Sequence, residues 1–516
     1  MGESFDYIVI GAGTSGCVVA HRLSEDASSR VLLLEGGGPD TKPEIHDPAS
    51  LYKLWGSEVD YLYSTEEEPG INHRRMVCNR GKVLGGSSAI HAMIHIRGNP
   101  RDFDHWNYLG NEGWSYEEVL PYFNKSEDYV GGASRYHGAG GPLSVINLPD
   151  PTPVAHAFVA AALELGFKGG PDWDFNGAEH EGAGFYQFTI TRDGQRASSA
   201  VAFLNPIKQR PNLTIATFAQ ATRLLVENGR VSGVEYRQDG QIKQARANRE
   251  VIVSAGAYDS PKLLMLSGIG PAAHLQAHGI PVIADRPGVG GNLLDHLRMP
   301  VIFKNTQVQP IPMVLAEAGL LVHTRPHTAA AAPDLQINFN AAVPALVPPD
   351  YPGDPRLTYN FITILAQPQS QGAVTLRSAD PGDPPVIRHH YLECETDVEV
   401  MVHSIKLARR MVRTRAMTPF YAGEVMPGEP IQSDEDLREY VRNNVFTIWH
   451  PVGTCKMGRD RLAVVDPQLR VYGVRGLRVA DASIMPTIPS SNPNAACFMI
   501  GEKAADLICG ADSSVC

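Results

Sequence analysis

Phe5-Asp6-Tyr7-Ile8-Val9-Ile10 runs into Gly11-Ala12-Gly13-Thr14-Ser15-Gly16, and Val31-Leu32-Leu33-Leu34 follows, ending on Glu35. The first run is apolar and β-prone, Cys17 to Leu23 carries a helical pattern, and the second run reads as another strand. Strand, G-x-G-x-x-G, helix, strand and acid in this order make the dinucleotide-binding βαβ unit. Gly11 permits the tight turn, Gly13 lets the backbone approach a pyrophosphate, and Gly16 lets helix and strand pack closely. Thr14 and Ser15 open the helix, whose unpaired N–H groups and positive dipole end suit phosphates. Glu35 lies 19 residues after Gly16, where a carboxylate can take both ribose hydroxyls of an adenosine.

The chain has 516 residues, long enough for two to four domains, and its 43% hydrophobic and 20% charged content is that of a globular protein. A net charge of −11 argues against nucleic acid as a partner, which needs a basic face. The first strand begins within about five residues, with no signal-peptide pattern before it. No apolar stretch approaches the roughly 18–20 residues needed to span a bilayer. The cysteines (17, 78, 394, 455, 497, 509 and 516) are odd in number and lack C-x-x-C spacing, which fits a reducing compartment. A cytoplasmic protein without a membrane span is the expectation.

Further along, Arg80-Gly-Lys-Val-Leu-Gly-Gly-Ser-Ser-Ala-Ile-His-Ala-Met-Ile-His-Ile-Arg-Gly98 places two glycines and two serines at an expected helix start. Pro153 to Leu165 reads as a helix and Gly184 to Thr191 as a strand. Short strands are expected at 212–217, 221–226 and 231–236, and a buried one at 250–256. Between about 300 and 445, Leu335 to Phe339 and Thr358 to Thr363 suggest an antiparallel sheet, with helices over 398–412 and 434–441. A strand at 476–481 and a helix at 494–507 close the pattern.

Residues 80–104, the block Gly256 to Gly270, Gly290-Gly-Asn-Leu-Leu-Asp-His296, Trp449-His450-Pro451 and Pro489-Ser-Ser-Asn492-Pro493-Asn494 together resemble the glucose-methanol-choline (GMC) flavoprotein oxidoreductases. The resemblance runs from Tyr7 to Ile508 and is weakest between about 300 and 430. It implies an α/β protein: a Rossmann-like FAD-binding domain (1–145, 206–298 and 446–516) with an inserted α+β substrate domain on an antiparallel sheet (146–205 and 299–445). It further implies FAD touching Gly86, Ser87, Ser88 and His91, with Val83 and Met93 packing nearby. Ala221 is then near the adenine, Asp481 and Ala482 near the pyrophosphate, and Asn492 with Pro493 near the pyrimidine, with Trp449 also among the cofactor-binding residues. Covalent relatives attach the flavin through a histidine one place before His91, which here is Ile90, so non-covalent FAD is expected.

His450 and Asn492, 42 residues apart, match the family's pair at the reactive edge of the flavin. Alcohol oxidation needs a base for the hydroxyl proton while hydride leaves for flavin N5, and an imidazole suits that task. Asn492 would orient the substrate oxygen, although Asn494 stands two residues on as another polar candidate. His91 and His95 are spaced i, i+4 on an expected helix, with no third ligand nearby to make a metal site. Trp449 before the base resembles the aryl-alcohol and hydroxymethylfurfural oxidising members, and favours a flat or apolar primary alcohol. O2 or another acceptor would take the electrons. The alternatives are a choline-type dehydrogenase, a hydroxynitrile lyase and a photodecarboxylase of the same fold.

Overall fold

The strand β1 (Glu3–Ile10), the helix α1 (Thr14–Leu23) and the strand β2 (Val31–Leu34) form as the opening residues dictate. The computed structural model describes residues 3–325, 331–342, 347–348 and 350–511. β1 pairs in parallel with β2 on one side and with Gln241–Val253 on the other. β2 is buried along its whole length, which explains its unbroken apolar run: a parallel strand covered on both faces has no polar side to show. The strand order in this sheet is Leu213–Ala216, β2, β1, Gln241–Val253, Arg230–Gln238 and Gln220–Glu227. Gln241–Val253 does double duty. Its first half forms a hairpin with Arg230–Gln238, and its second half takes Leu477–Val479 in parallel.

The final helix, Asn494–Ala511, packs on α1. Gly501 makes this possible: a Cβ there would lie 2.9 Å from the Ser15 carbonyl oxygen and 2.7 Å from the Val18 Cβ. Arg22 Nε, donating to Glu502 at 2.7 Å, closes the same contact.

A second sheet is antiparallel: Tyr421–Met426, Leu297–Asn305, Thr358–Leu365, Leu335–Asn340, Ala318–Val322 and Gly182–Phe185, with Phe446–Thr447 also on Leu297–Asn305. Its two faces differ. Met299, Val301, Phe303, Ile337, Phe339 and Phe361 form a core with the helices Pro153–Glu164 and Glu395–Met411; Phe158 stacks on Phe339 at 4.8 Å. The alternate residues Gln336, Asn338, Asn340 and Asn360 put buried polar groups on the opposite face.

The structure differs from two expectations. His91 and His95 are not on one helix: only a single 3-10 turn, Gly86–Ala89, forms after the paired glycines. The chain then extends into Ile94–His95, paired with Gln187–Phe188, because Ile94 and Ile96 find buried apolar surface on alternate positions. The expected strand over 184–191 divides in two, Gly182–Phe185 in the second sheet and Gln187–Phe188 in a separate four-stranded sheet. Tyr186 is the pivot, its hydroxyl donating to Asn338 Oδ1 at 2.6 Å.

Candidate functional site

One cleft runs from the turn after β1 to His450. It encloses about 2180 Å³, part of it open to solvent. At its first end the glycines are held by contact. A Cβ on Gly16 would fall 1.9 Å from the Gly11 carbonyl oxygen, and one on Gly86 (φ +51°) 2.6 Å from the Gly13 Cα. Gly13 itself has nothing within 4 Å of its Cβ position, so its backbone faces open space at the N-terminus of α1. That arrangement fits a pyrophosphate.

Glu35 is buried in the cleft wall at the end of β2. Its Oε2 accepts from Ala12 N at 2.9 Å and its Oε1 from Gly37 N at 2.8 Å. Burial pushes the carboxyl up to about 7, against the pull of those two N–H donors. Ala219, Gln220 and Ala221 line the same end of the cleft, and these residues fit the adenosine half of a dinucleotide. Asp481 ties the wall together, accepting from Gly256 N at 2.8 Å, Ser260 Oγ at 2.6 Å and Ser483 N at 2.7 Å.

At the other end, His450 sits between His296 and Asn492. His450 Nδ1 is 3.0 Å from His296 Nδ1, and His296 Nε2 is 3.1 Å from the Ala366 carbonyl oxygen. A carbonyl only accepts, so His296 carries its proton on Nε2 and its Nδ1 is an acceptor. His450 must then donate from Nδ1, which leaves the Nε2 lone pair as an acceptor. The amide of Asn492 agrees: its Nδ2 donates to His450 Nε2 at 3.3 Å while its Oδ1 accepts from Gln336 Nε2 at 3.3 Å. These assignments follow from the hydrogen-bond pattern. Burial, then the positive influence of His296, Arg80 and His91, hold the His450 pKa well below the usual imidazole value. Burial lowers His296 to about 4. The pair is a neutral relay with one outward lone pair.

The backbone around His450 is fixed from several sides. Asp295 Oδ1 accepts from His450 N at 2.7 Å, while Oδ2 takes the hydroxyls of Tyr391 and Thr447 at 2.5 Å each. Trp449 is left-handed at φ +63°, a conformation that costs a bulky residue on the order of 1–3 kcal/mol. Three hydrogen bonds hold it there: Trp449 N to Thr447 Oγ1 at 2.8 Å, Trp449 Nε1 to Val77 O at 3.0 Å, and Arg80 Nη1 to Trp449 O at 2.7 Å. The indole meets Trp55 with ring centroids 4.6 Å apart.

Gly11, Gly13, Thr14, Ser15, Glu35, Gly86, Ser87, His91, Met93, Ala221, Trp449, His450, Asp481, Ala482, Asn492 and Pro493 all line this cleft. Gly16, Val83 and Ser88 lie behind its wall. Gly16 packs on Gly11, Val83 is buried with Ile45, Leu54 and Ile90, and the Ser88 hydroxyl donates to Gly85 O at 2.6 Å. Asn494 is engaged elsewhere, accepting from Thr14 Oγ1 at 2.7 Å and bonded to His91 Nε2 at 3.0 Å. Asn492 is the asparagine that faces His450. His91 and His95 part company, since His95 Nε2 bonds Glu127 at 3.1 Å away from the cleft lining.

Sequence reasoning did not single out His296, Arg80, Arg298, Trp55 or Asn338. His296 carried a signal, as the last residue of the Gly290–His296 block, but nothing in sequence pairs it with a residue 154 positions away.

Residues 5–298 and 368–501 match the two family models described as GMC oxidoreductase. The oxygen-dependent choline dehydrogenases of Sinorhizobium fredii and Rhizobium meliloti are 42% and 41% identical, each over 98% of this chain and 95% of their own length. Among solved structures, a pyridoxine 4-oxidase from Mesorbium loti superposes with a TM-score of 0.91 at 34% identity, covering 97% of this chain and 98% of that one. A formate oxidase from Aspergillus oryzae does so at 0.90 and 28% identity, covering 99% of both. A fungal aryl-alcohol oxidase follows at 0.89 and 25%, covering 99% of this chain and 100% of its own.

Proposed function

Because the chain belongs to the GMC oxidoreductases, FAD-dependent enzymes of alcohol oxidation, we propose that it oxidises a flat aromatic or apolar primary alcohol to the aldehyde with His450 as base. The observation that carries this reading is the outward lone pair of His450 Nε2, fixed from behind by His296 and faced by Asn492. Bound FAD supplies the two-electron acceptor for the hydride that leaves the alcohol carbon. His450 Nε2 takes the hydroxyl proton. Asn492 Nδ2, 3.3 Å from that nitrogen, donates to the same oxygen and keeps it oriented. Burial keeps the imidazole neutral, hence able to accept, throughout the neutral range. Trp449 and Trp55 offer an aromatic wall to a flat substrate.

FAD is held without a covalent bond in this reading. Ile90 is buried in the wall with Val83 and Ala89, and yellow colour remaining on acid-precipitated protein would refute it. The two-domain division given by the sequence is our reading as well, with one exchange: Phe446–Thr447, from the nucleotide portion, reaches across to pair with Leu297–Asn305.

Relatives named choline dehydrogenase support a second reading, oxidation of a quaternary-ammonium alcohol. That ligand calls for aromatic faces and negative charge, whereas Arg80 and Arg298 line the cleft around His450. Anaerobic mixing with benzyl alcohol, hydroxymethylfurfural, hexanol and choline in the dark separates these. Flavin bleaching by the aromatic alcohols is expected, and bleaching by choline alone would replace the first reading with the second. Lack of bleaching by all four would sink both. Admitting oxygen then distinguishes rapid reoxidation with peroxide, an oxidase, from slow reoxidation with another acceptor.

A further inference from the structure

Arg298, second residue of Leu297–Asn305, lines the cleft together with Trp449, Trp55 and Asn338. Its guanidinium lies 5.6 Å from the Trp449 ring and 5.7 Å from that of Phe446. Among the described residues it meets no carboxylate and no hydrogen-bond acceptor. This is out of character for the chain. Arg97 pairs with Glu127 at 2.8 Å, Arg478 with Glu250 at 2.6 Å and Arg409 with Glu424 at 2.8 Å. A guanidinium is costly to withdraw from water without a partner, and its five N–H donors match a carboxylate in fork geometry. Asn338 adds a donor. Its Oδ1 is filled by Tyr186 OH at 2.6 Å and Gln336 Nε2 at 3.0 Å, so Nδ2–H is what it has left to offer.

We propose that Arg298 is the anion-binding residue of the alcohol pocket, and that the substrate is an aromatic alcohol bearing a carboxylate on the side of the ring away from its hydroxymethyl group. The inference rests on the alcohol-oxidation reading above and names the substrate class for the same cleft. The hydroxyl end lies at His450 and Asn492. Trp449 joins the two ends, its backbone adjoining His450 and its ring lying under Arg298, so the plane of the substrate follows the indole. A cationic alcohol in the same place would be repelled by a charge that nothing nearby neutralises.

Two measurements on the holoenzyme test this. Titration of the flavin spectrum with 4-methylbenzoate and 4-methylbenzamide, neither of which has a hydroxyl to oxidise, is expected to show the acid binding at least ~10-fold tighter. The kcat/KM for 4-(hydroxymethyl)benzoate should exceed that for benzyl alcohol by a similar factor. Arg298→Gln should bring both ratios close to one, with Arg298→Lys between. Equal binding of acid and amide by the wild type, or ratios that Arg298→Gln leaves intact, would overturn the proposal. Selective binding of the acid with no bleaching by any alcohol would leave the anion site standing and remove the oxidation reading instead.

Discussion

His137 is a buried imidazole and His450 a half-buried one facing the cleft, and their surroundings drive them in opposite directions. His137 lies between two carboxylates, with Nδ1 3.0 Å from Glu127 Oε2 and Nε2 2.9 Å from Asp174 Oδ2. Burial pulls its pKa down, but the hydrogen bonds to Asp174 and Glu127 outweigh it and raise it to about 9. Glu127, with no exposed surface, also takes Arg97 Nη2 at 2.8 Å and His95 Nε2 at 3.1 Å. His450 instead meets another imidazole, and its pKa falls well below the usual value. Burial alone makes an imidazole neutral, and only a facing carboxylate reverses the sign. One cluster is a fixed ionic clasp between Glu127–Tyr129, the glycine-rich loop after it and Asp174; the other is a base.

The largest effect expected is at the base. His450→Ala should slow anaerobic flavin reduction by about 10²–10⁴-fold, or about 2.7–5.4 kcal/mol of barrier. An unchanged rate would erase the distinction between the clusters. Next comes the hub of the clasp. Glu127→Gln leaves the Arg97 and His137 charges without their buried counter-ion, at a cost of about 3–5 kcal/mol. The thermal midpoint should drop accordingly, and a variant as stable as the wild type would show that the clasp adds nothing.

The third effect is on pH. His137 titrates near 6.5 when unfolded and near 9 in the fold, so the folded state binds the extra proton between those values. Its contribution is fully present below about pH 6.5 and is lost as pH rises through 9. The difference is worth about 3 kcal/mol at most. The midpoint should fall between pH 7 and 10, and Asp174→Asn should flatten that slope. A wild type whose midpoint is level over this range contradicts the assignment.

The parts of this molecule that depend on neighbours in sequence were legible. β1, α1, β2 and Glu35 stand where the βαβ pattern puts them, because turn, dipole and apolar run are all local. His450 and Asn492 came from the family motif, and they do face each other. What could not be read was pairing across the sheets. Arg298 lies on, and His296 just before, a strand whose neighbours come from residues 358–365, 421–426 and 446–447, and no local signal announces such contacts. The His91–His95 helix failed for the same reason. An i, i+4 spacing is equally compatible with a strand when partners such as Gln187–Phe188 supply the hydrogen bonds.

The smallest effect tests how the proposed base is held. His296 does not itself line the cleft and, in this reading, does not touch the substrate; it acts through His450 by accepting the Nδ1 proton at 3.0 Å. His296→Leu removes that acceptor and leaves the tautomer of His450 unspecified, so flavin reduction should slow by only about 10-fold, roughly 1.4 kcal/mol. A simple packing defect could do as much, and the pH profile separates the two. In the wild type, reduction should be level from pH 8 to 6, because His450 stays unprotonated well below its usual pKa. His296 is neutral in this range, its pKa lowered by burial to about 4, so His296→Leu removes an acceptor and not a charge. Its profile should stay level, whereas a packing defect that admits water would lift the break toward the usual imidazole value. His296→Asn retains an acceptor at the δ position and should restore most of the rate. A wild-type profile that already breaks near 6.5 would mean that carboxylate-free burial is not what keeps His450 ready to accept a proton, and a His296→Leu break moved up to that value would mean a packing defect.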